Sequence, residues 1–105
     1  MKFEIIWSEF AEKQLDAIFE YHLEKAGYRI AKKLIQKIIS EPNKLENNPY
    51  IGQVEDLLKA RKEIYRYLVC KNYKLIYSFD EKKERVKIID VFDTRQNPIK
   101  IERSK

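Results

Sequence analysis

The chain has 105 residues, a length that suits one domain with a single core and little to spare. Hydrophobic residues at 44% and charged residues at 37% exclude a disordered chain and describe a folded domain with a highly charged surface. No stretch approaches the roughly 20 apolar residues of a membrane span, and Met1 to Trp7 is too short and mixed for a signal peptide, so the expected location is the cytoplasm, with no membrane partner.

Phe3, Ile5 and Trp7 alternate with Lys2 and Glu4 at the start, the period of a short strand added to a sheet. Ser8 then offers an N-cap oxygen, and Glu9 and Glu12 put negative charge in a first helical turn, where the helix dipole favours it. Ala11, Leu15, Ile18, His22 and Ala26 form the apolar stripe of that helix, widened by Phe19. Gly27 is placed to end it in a left-handed conformation. A second stripe, Ala31, Leu34, Ile35 and Ile38, joined by Ile30 and Ile39, starts at once. Two helices with so short a link form an antiparallel hairpin whose shared apolar side can cover a sheet. Pro42 interrupts the second helix, because proline lacks an amide donor and disfavours helix in the residue before it. Asn47 to Gln53 is the main irregular segment.

Lys62 to Cys70, Tyr73 to Phe79 and Arg85 to Phe92 are three runs rich in β-branched and aromatic residues, the composition of half-buried strands. Lys71 and Asn72 make a tight turn, with Asn72 tolerant of positive φ, and Asp80 to Glu84 is a charged link of hairpin length. The expected fold is therefore α+β. An N-terminal strand and a two-helix antiparallel hairpin pack on an antiparallel sheet with a C-terminal three-strand meander, all within one domain spanning 1–105. Asp93 to Pro98 turns away from the sheet, and Ile99 to Lys105 forms a polar tail.

Most standard chemistries are set aside by composition. His22 is the only histidine, which removes the triads that need an imidazole base beside a nucleophile, and its place on an apolar stripe reads as packing. Two glycines leave no phosphate-cradling loop. Cys70, the only cysteine, ends an apolar strand and reads as a buried structural thiol. The paired carboxylates Glu9 with Glu12 and Glu20 with Glu24 lack the ligand set of a metal site, so neither metal nor cofactor is expected.

Charge is the remaining signal. The formal net charge is +5, but residues 1–58 hold 8 Lys plus Arg against 10 Asp plus Glu, while residues 59–105 hold 14 against 7. A half-chain at +7 beside one at −2 suits nucleic acid, a ribosome or an acidic protein segment. Its cations lie among tyrosines: Tyr65, Arg66, Tyr67, Tyr73, Lys74, Tyr77 and Arg95. Such residues can hold phosphates, stack on bases or stabilise developing negative charge, and the tyrosines can equally serve as core aromatics with hydroxyls at the rim. Strand parity puts Arg66 with Leu68 and sets Lys74 opposite Tyr73 and Tyr77. It leaves open whether Arg66 and Lys74 share a sheet face.

Four local patterns stand in order along nearly the whole chain: Trp7-Ser8-Glu9-Phe10-Ala11, Leu45 to Gly52, Tyr73-Lys74-Leu75-Ile76-Tyr77, and Val91 to Pro98. With the order strand, helical hairpin, loop, meander and basic tail, they resemble the RelE/ParE superfamily of bacterial type II toxins. The resemblance implies a growth-inhibiting toxin, of the kind found in plasmid stabilisation systems, neutralised by a cognate antitoxin in a hetero-oligomer. Its ParE-like branch acts on DNA gyrase and is not itself a nuclease. Its RelE-like branch cleaves mRNA on the ribosome, and would use Lys74 and Arg95 as catalytic residues. No tyrosine follows Arg95, and Tyr65 and Tyr67 stand where the nucleases tend to place lysines, so the ParE-like reading is favoured. An endoribonuclease is the first alternative, and a non-toxic partner- or nucleic-acid-binding module the second. On this reading the target is expected to meet Arg66, Tyr65, Tyr67, Tyr73 and Asn97, and the antitoxin to meet Leu34, Ile35 and Ile38 on the apolar stripe of the second helix.

Overall fold

The structure, a computed structural model, describes residues 2–58 and 63–95. Lys62, Asn97 and the tail from Ile99 to Lys105, which figure in the expectations above, lie outside the described residues. Strand β1 (Glu4–Trp7) leads into α1 (Glu9–Ala26) and α2 (Tyr28–Ser40); β2 (Gln53–Val54), β3 (Arg66–Cys70), β4 (Tyr73–Asp80) and β5 (Arg85–Asp93) follow. Short 3₁₀ turns at Glu41–Glu46, Pro49–Ile51 and Asp56–Leu58 carry the chain from α2 to the sheet.

Helix boundaries follow local chemistry. Ser8 is extended, at φ −68° and ψ 158°, and its hydroxyl accepts a hydrogen bond from the Ala11 amide. At the far end Gly27 has φ 90°, which favours glycine, but its ψ of 170° is extended, so the expected left-handed cap is replaced by a sharper break. That break lets the Gly27 amide close α1 on the Leu23 carbonyl while its own carbonyl accepts from the Ala31 amide of α2. Pro42 ends α2 as expected, and the chain tightens into 3₁₀ geometry.

The five strands form one sheet in the order β1-β5-β4-β3-β2. The meander β3-β4-β5 is antiparallel throughout, with Arg66 paired to Tyr77 and Cys70 to Tyr73 on one side, and Tyr73 paired to Asp93 on the other. The sheet is nevertheless mixed, because β1 lies parallel to β5, with Ile5 opposite Val86. The physical reason is the long helical crossover, which lets strands distant in sequence run side by side in one direction. In the β3–β4 turn Lys71, not Asn72, takes the positive φ of 58°. The Asn72 carbonyl instead accepts from the Thr94 amide and hydroxyl, tying that turn to the end of β5. The first meander strand is shorter than expected, beginning at Arg66.

Two cores result. The helices cover the face bearing Leu68, Tyr73, Leu75, Tyr77, Val86 and Val91, against which Ala11, Ile38 and Leu45 pack. Leu58, Ile76 and Phe92 make a smaller core on the opposite face, with Tyr65, Tyr67 and Ile89 against it. A register shift opposite Ile76 and Tyr77 inserts Ile89 as an extra residue in β5. Ile88 and Val91 consequently join the same core, although strict alternation would separate them. Cys70 is buried, as its strand context implies.

Candidate functional site

Pairing register settles where each cation points. Arg66 is opposite Tyr77 and shares the helix-covered face, whereas Lys74 is opposite Val69 and shares the other face with Tyr67 and Ile76. The two cations are therefore on opposite sides of the sheet, and the cations and tyrosines fall into three separate clusters.

Lys74 belongs to the first. Its Nζ lies 2.9 Å from Glu55 Oε1 and 4.3 Å from the centre of the Tyr67 ring. Glu55 is only 4% exposed, and its amide donates to the Tyr65 carbonyl, so the carboxylate is fixed under the lysine. Tyr67 donates its hydroxyl to Gln53 Oε1 at 2.6 Å, and Tyr65 donates to Glu63 at 3.1 Å. A lysine held by a buried carboxylate and an aromatic face is a structural cation rather than an open phosphate hook. Nothing in the sequence marked Glu55 as the partner, since 19 residues separate the pair.

The second cluster closes the Asn47–Gln53 segment over the sheet. Arg66 Nη1 donates to the Gly52 carbonyl at 3.0 Å, and its guanidinium sits 5.3 Å from the Tyr50 ring. Tyr50 packs edge-on to Phe79 and donates a short hydrogen bond to Glu81. Beneath them the Tyr77 hydroxyl accepts from the Gly52 amide and donates to the Pro49 carbonyl. Arg66 thus serves as a strut for the segment, and Tyr77 is a core aromatic whose hydroxyl finds main-chain partners.

The third cluster is a cleft of about 290 Å³ between α1 and the end of the sheet, where Gln14, Ile18 and Tyr21 face Tyr73, Asp93 and Arg95. Arg95 grips Asp93 through two nitrogens, Nε at 3.0 Å and Nη2 at 2.9 Å. This fork, chiefly through its hydrogen bonds, holds the Asp93 carboxyl below the usual carboxylate range. Tyr73 is 3% exposed, its hydroxyl 3.0 Å from His22 Nε2, and burial pushes its phenol up. Tyr73, expected to meet the target, is a nearly buried wall of the cleft, because it starts β4 on the face that α1 covers. His22 packs as its stripe position implied. Gln14 and Tyr21 were not foreseen; both occupy the edge of α1 just outside its apolar stripe.

The three residues expected to meet the antitoxin do not share one environment. Ile38 is fully buried and Leu34 packs on the main core, so the sheet has already taken those positions of α2. Ile35 is partly exposed, beside Ile39, in a groove on the outer side of the hairpin. Among the described residues no group of His, Cys, Asp and Glu is arranged to hold a metal ion.

Comparison with known proteins adds a family to this geometry. The fold is similar to a chain of the solved "Chromosomal ParDE TA system from P. aeruginosa", with a TM-score of 0.72 and 17% identity, over 88% of this chain and 96% of that one. No curated protein matches in sequence. Residues 5–98 match the family described as "ParE toxin of type II toxin-antitoxin system, parDE". A match over that much of the chain shows that this protein belongs to the ParE toxin family.

Proposed function

We propose that this protein is the toxin of a type II toxin–antitoxin pair, that it halts growth by acting on DNA gyrase in the cytoplasm, and that a cognate antitoxin neutralises it. Family membership supports the toxin role. One structural observation favours gyrase over mRNA: Lys74 points to the face away from the helices, while Arg95, past the end of β5, lines the cleft beside α1, and each is paired with a carboxylate at 2.9 Å. Cleavage of RNA by its 2′-hydroxyl needs a base, an acid and cations converging on one phosphate. Lys74 and Arg95 do not converge. A macromolecular partner that is bound rather than cut makes no such demand.

In this reading the antitoxin's acidic or amphipathic segment binds the Arg95 cleft; what supports it is an apolar wall from Ile18 and Val91 beside a guanidinium at the rim. Raising salt should then slow association more than it speeds dissociation. The deciding experiment incubates the purified chain with gyrase and supercoiled DNA, and in parallel with a translating extract. Gyrase trapped on cleaved DNA is the expected result. Codon-phased cuts in translated mRNA, lost in both Lys74→Ala and Arg95→Ala, would overturn the reading in favour of a ribosome-dependent endoribonuclease. Growth unaffected by expression without any partner would favour the non-toxic binding module.

A further inference from the structure

The helical hairpin carries an unusual charge arrangement on the side turned away from the sheet. A groove between the helices is floored by Leu15, Phe19, Ile35 and Ile39, and Tyr28 closes one end by packing edge-on against Phe19 at 6.2 Å. Tyr28 is 61% and Ile39 46% exposed, large values for apolar groups on a charged surface. Along the α1 edge of this groove run Glu12, Asp16 and Glu20, one helical turn apart. On the α2 side lie Arg29, Lys32 and Lys33. All six are exposed. Glu12, Asp16, Glu20, Arg29 and Lys33 form no ion pair with another described residue, and Lys32 rests over the Tyr28 ring.

We propose that this face binds the same face of a second copy of the chain, as a weak twofold dimer. An acidic row, an apolar groove and a basic row side by side form a self-complementary pattern. A twofold axis running along the groove stacks groove on groove and lays the acidic row of each copy on the basic row of the other. Because α1 and α2 are antiparallel about Gly27, positions equally far from that turn come level, so Glu20 of one copy faces Lys33 of its partner. An axis across the helices would instead put acid on acid and base on base, which the charges forbid. Size sets the strength. The 13 residues of α2 give a contact about 20 Å long, and two helices about 10 Å apart make it about 20 Å wide. A footprint of about 400 Å² per copy falls below the roughly 800 Å² of a standard stable interface, so the dimer forms only at high concentration.

Sedimentation equilibrium of the purified full chain tests this without reference to its cellular target. A concentration-dependent dimer that weakens at least several-fold between low and high salt is expected. Asp16→Lys with Glu20→Lys should leave a folded monomer, and so should Arg29→Glu with Lys33→Glu. Combining all four changes in one chain exchanges the rows and should restore the dimer; if that chain does not fold by circular dichroism, mixing the two paired variants should restore it as a heterodimer. A wild-type chain that stays monomeric, or a dimer indifferent to either paired reversal, would overturn the proposal. So would a monomer whose antitoxin footprint maps to Asp16 and Lys33, an outcome that assigns the groove to the antitoxin.

Discussion

Replacing Tyr77 by Phe should destabilise the fold far more than loss of one oxygen on a surface would. The Tyr77 side chain is fully buried, and its hydroxyl is the partner of two main-chain groups, the Gly52 amide at 2.9 Å and the Pro49 carbonyl at 2.7 Å. Phenylalanine fills the same space but strands both groups. Each unsatisfied buried group costs about 1–3 kcal/mol, partly offset because the hydroxyl itself no longer needs desolvating, which leaves a net loss of about 2–4 kcal/mol. For a domain of this size that is a large share of the total, and melting should fall by about 4–8 °C per kcal/mol. A companion change, Gly52→Ala, attacks the same contact from the other side. Gly52 has φ −69°, which any residue adopts, so its role is steric: an added methyl would meet the Tyr77 ring carbon at 2.7 Å and the Tyr67 carbonyl at 2.8 Å. The two costs should not add, because removing the Tyr77 oxygen also removes one obstacle to the methyl. Urea unfolding of the wild type, both single variants and the double variant measures all four corners. A Tyr77→Phe loss below about 0.5 kcal/mol at unchanged denaturant slope would refute the reasoning, since it would mean that the two main-chain groups find other partners.

Lys74→Met should cost about 1.5–3 kcal/mol in urea unfolding, because it leaves the buried Glu55 carboxylate without its ammonium; an unchanged midpoint would show that the pair is not formed in solution. Ile38→Ala should cost about 2–5 kcal/mol, as a large buried aliphatic, whereas Ile35→Ala on the groove should cost well under half as much. Equal effects in thermal melts would contradict the assignment of faces on α2. The depressed Asp93 carboxyl contributes stability that is present above its unfolded-state pKa and is lost as pH falls through its lower folded value. Arg95→Ala should raise the Asp93 pKa in an NMR titration and weaken the acid side of the stability profile; an unmoved Asp93 titration would mean that the fork opens in solution.

The sequence by itself determined the elements and their chemistry of starting and stopping. Ser8 as a cap, Gly27 as a break, Pro42 as the end of a helix and the period of each strand all act over a few residues, so they are legible in order along the chain. The four ordered patterns also carried the family. Only the tertiary structure decided which side chains meet. Lys74 and Glu55 are joined by the return of β2 beside β3, Tyr73 and His22 by the docking of α1, and β1 takes its parallel place beside β5 through the helical crossover. Leu34 and Ile38 look available to a partner until the sheet is in place to take them. The insertion of Ile89 reverses alternation in the middle of β5, which no periodicity in that strand announces. Side-chain period is local, but register between strands is set by packing across the whole core, and a shift of one residue sends every side chain to the other face. That is why the cations and tyrosines of the meander were readable one by one, while the separation of Arg66 and Lys74 onto two faces was not.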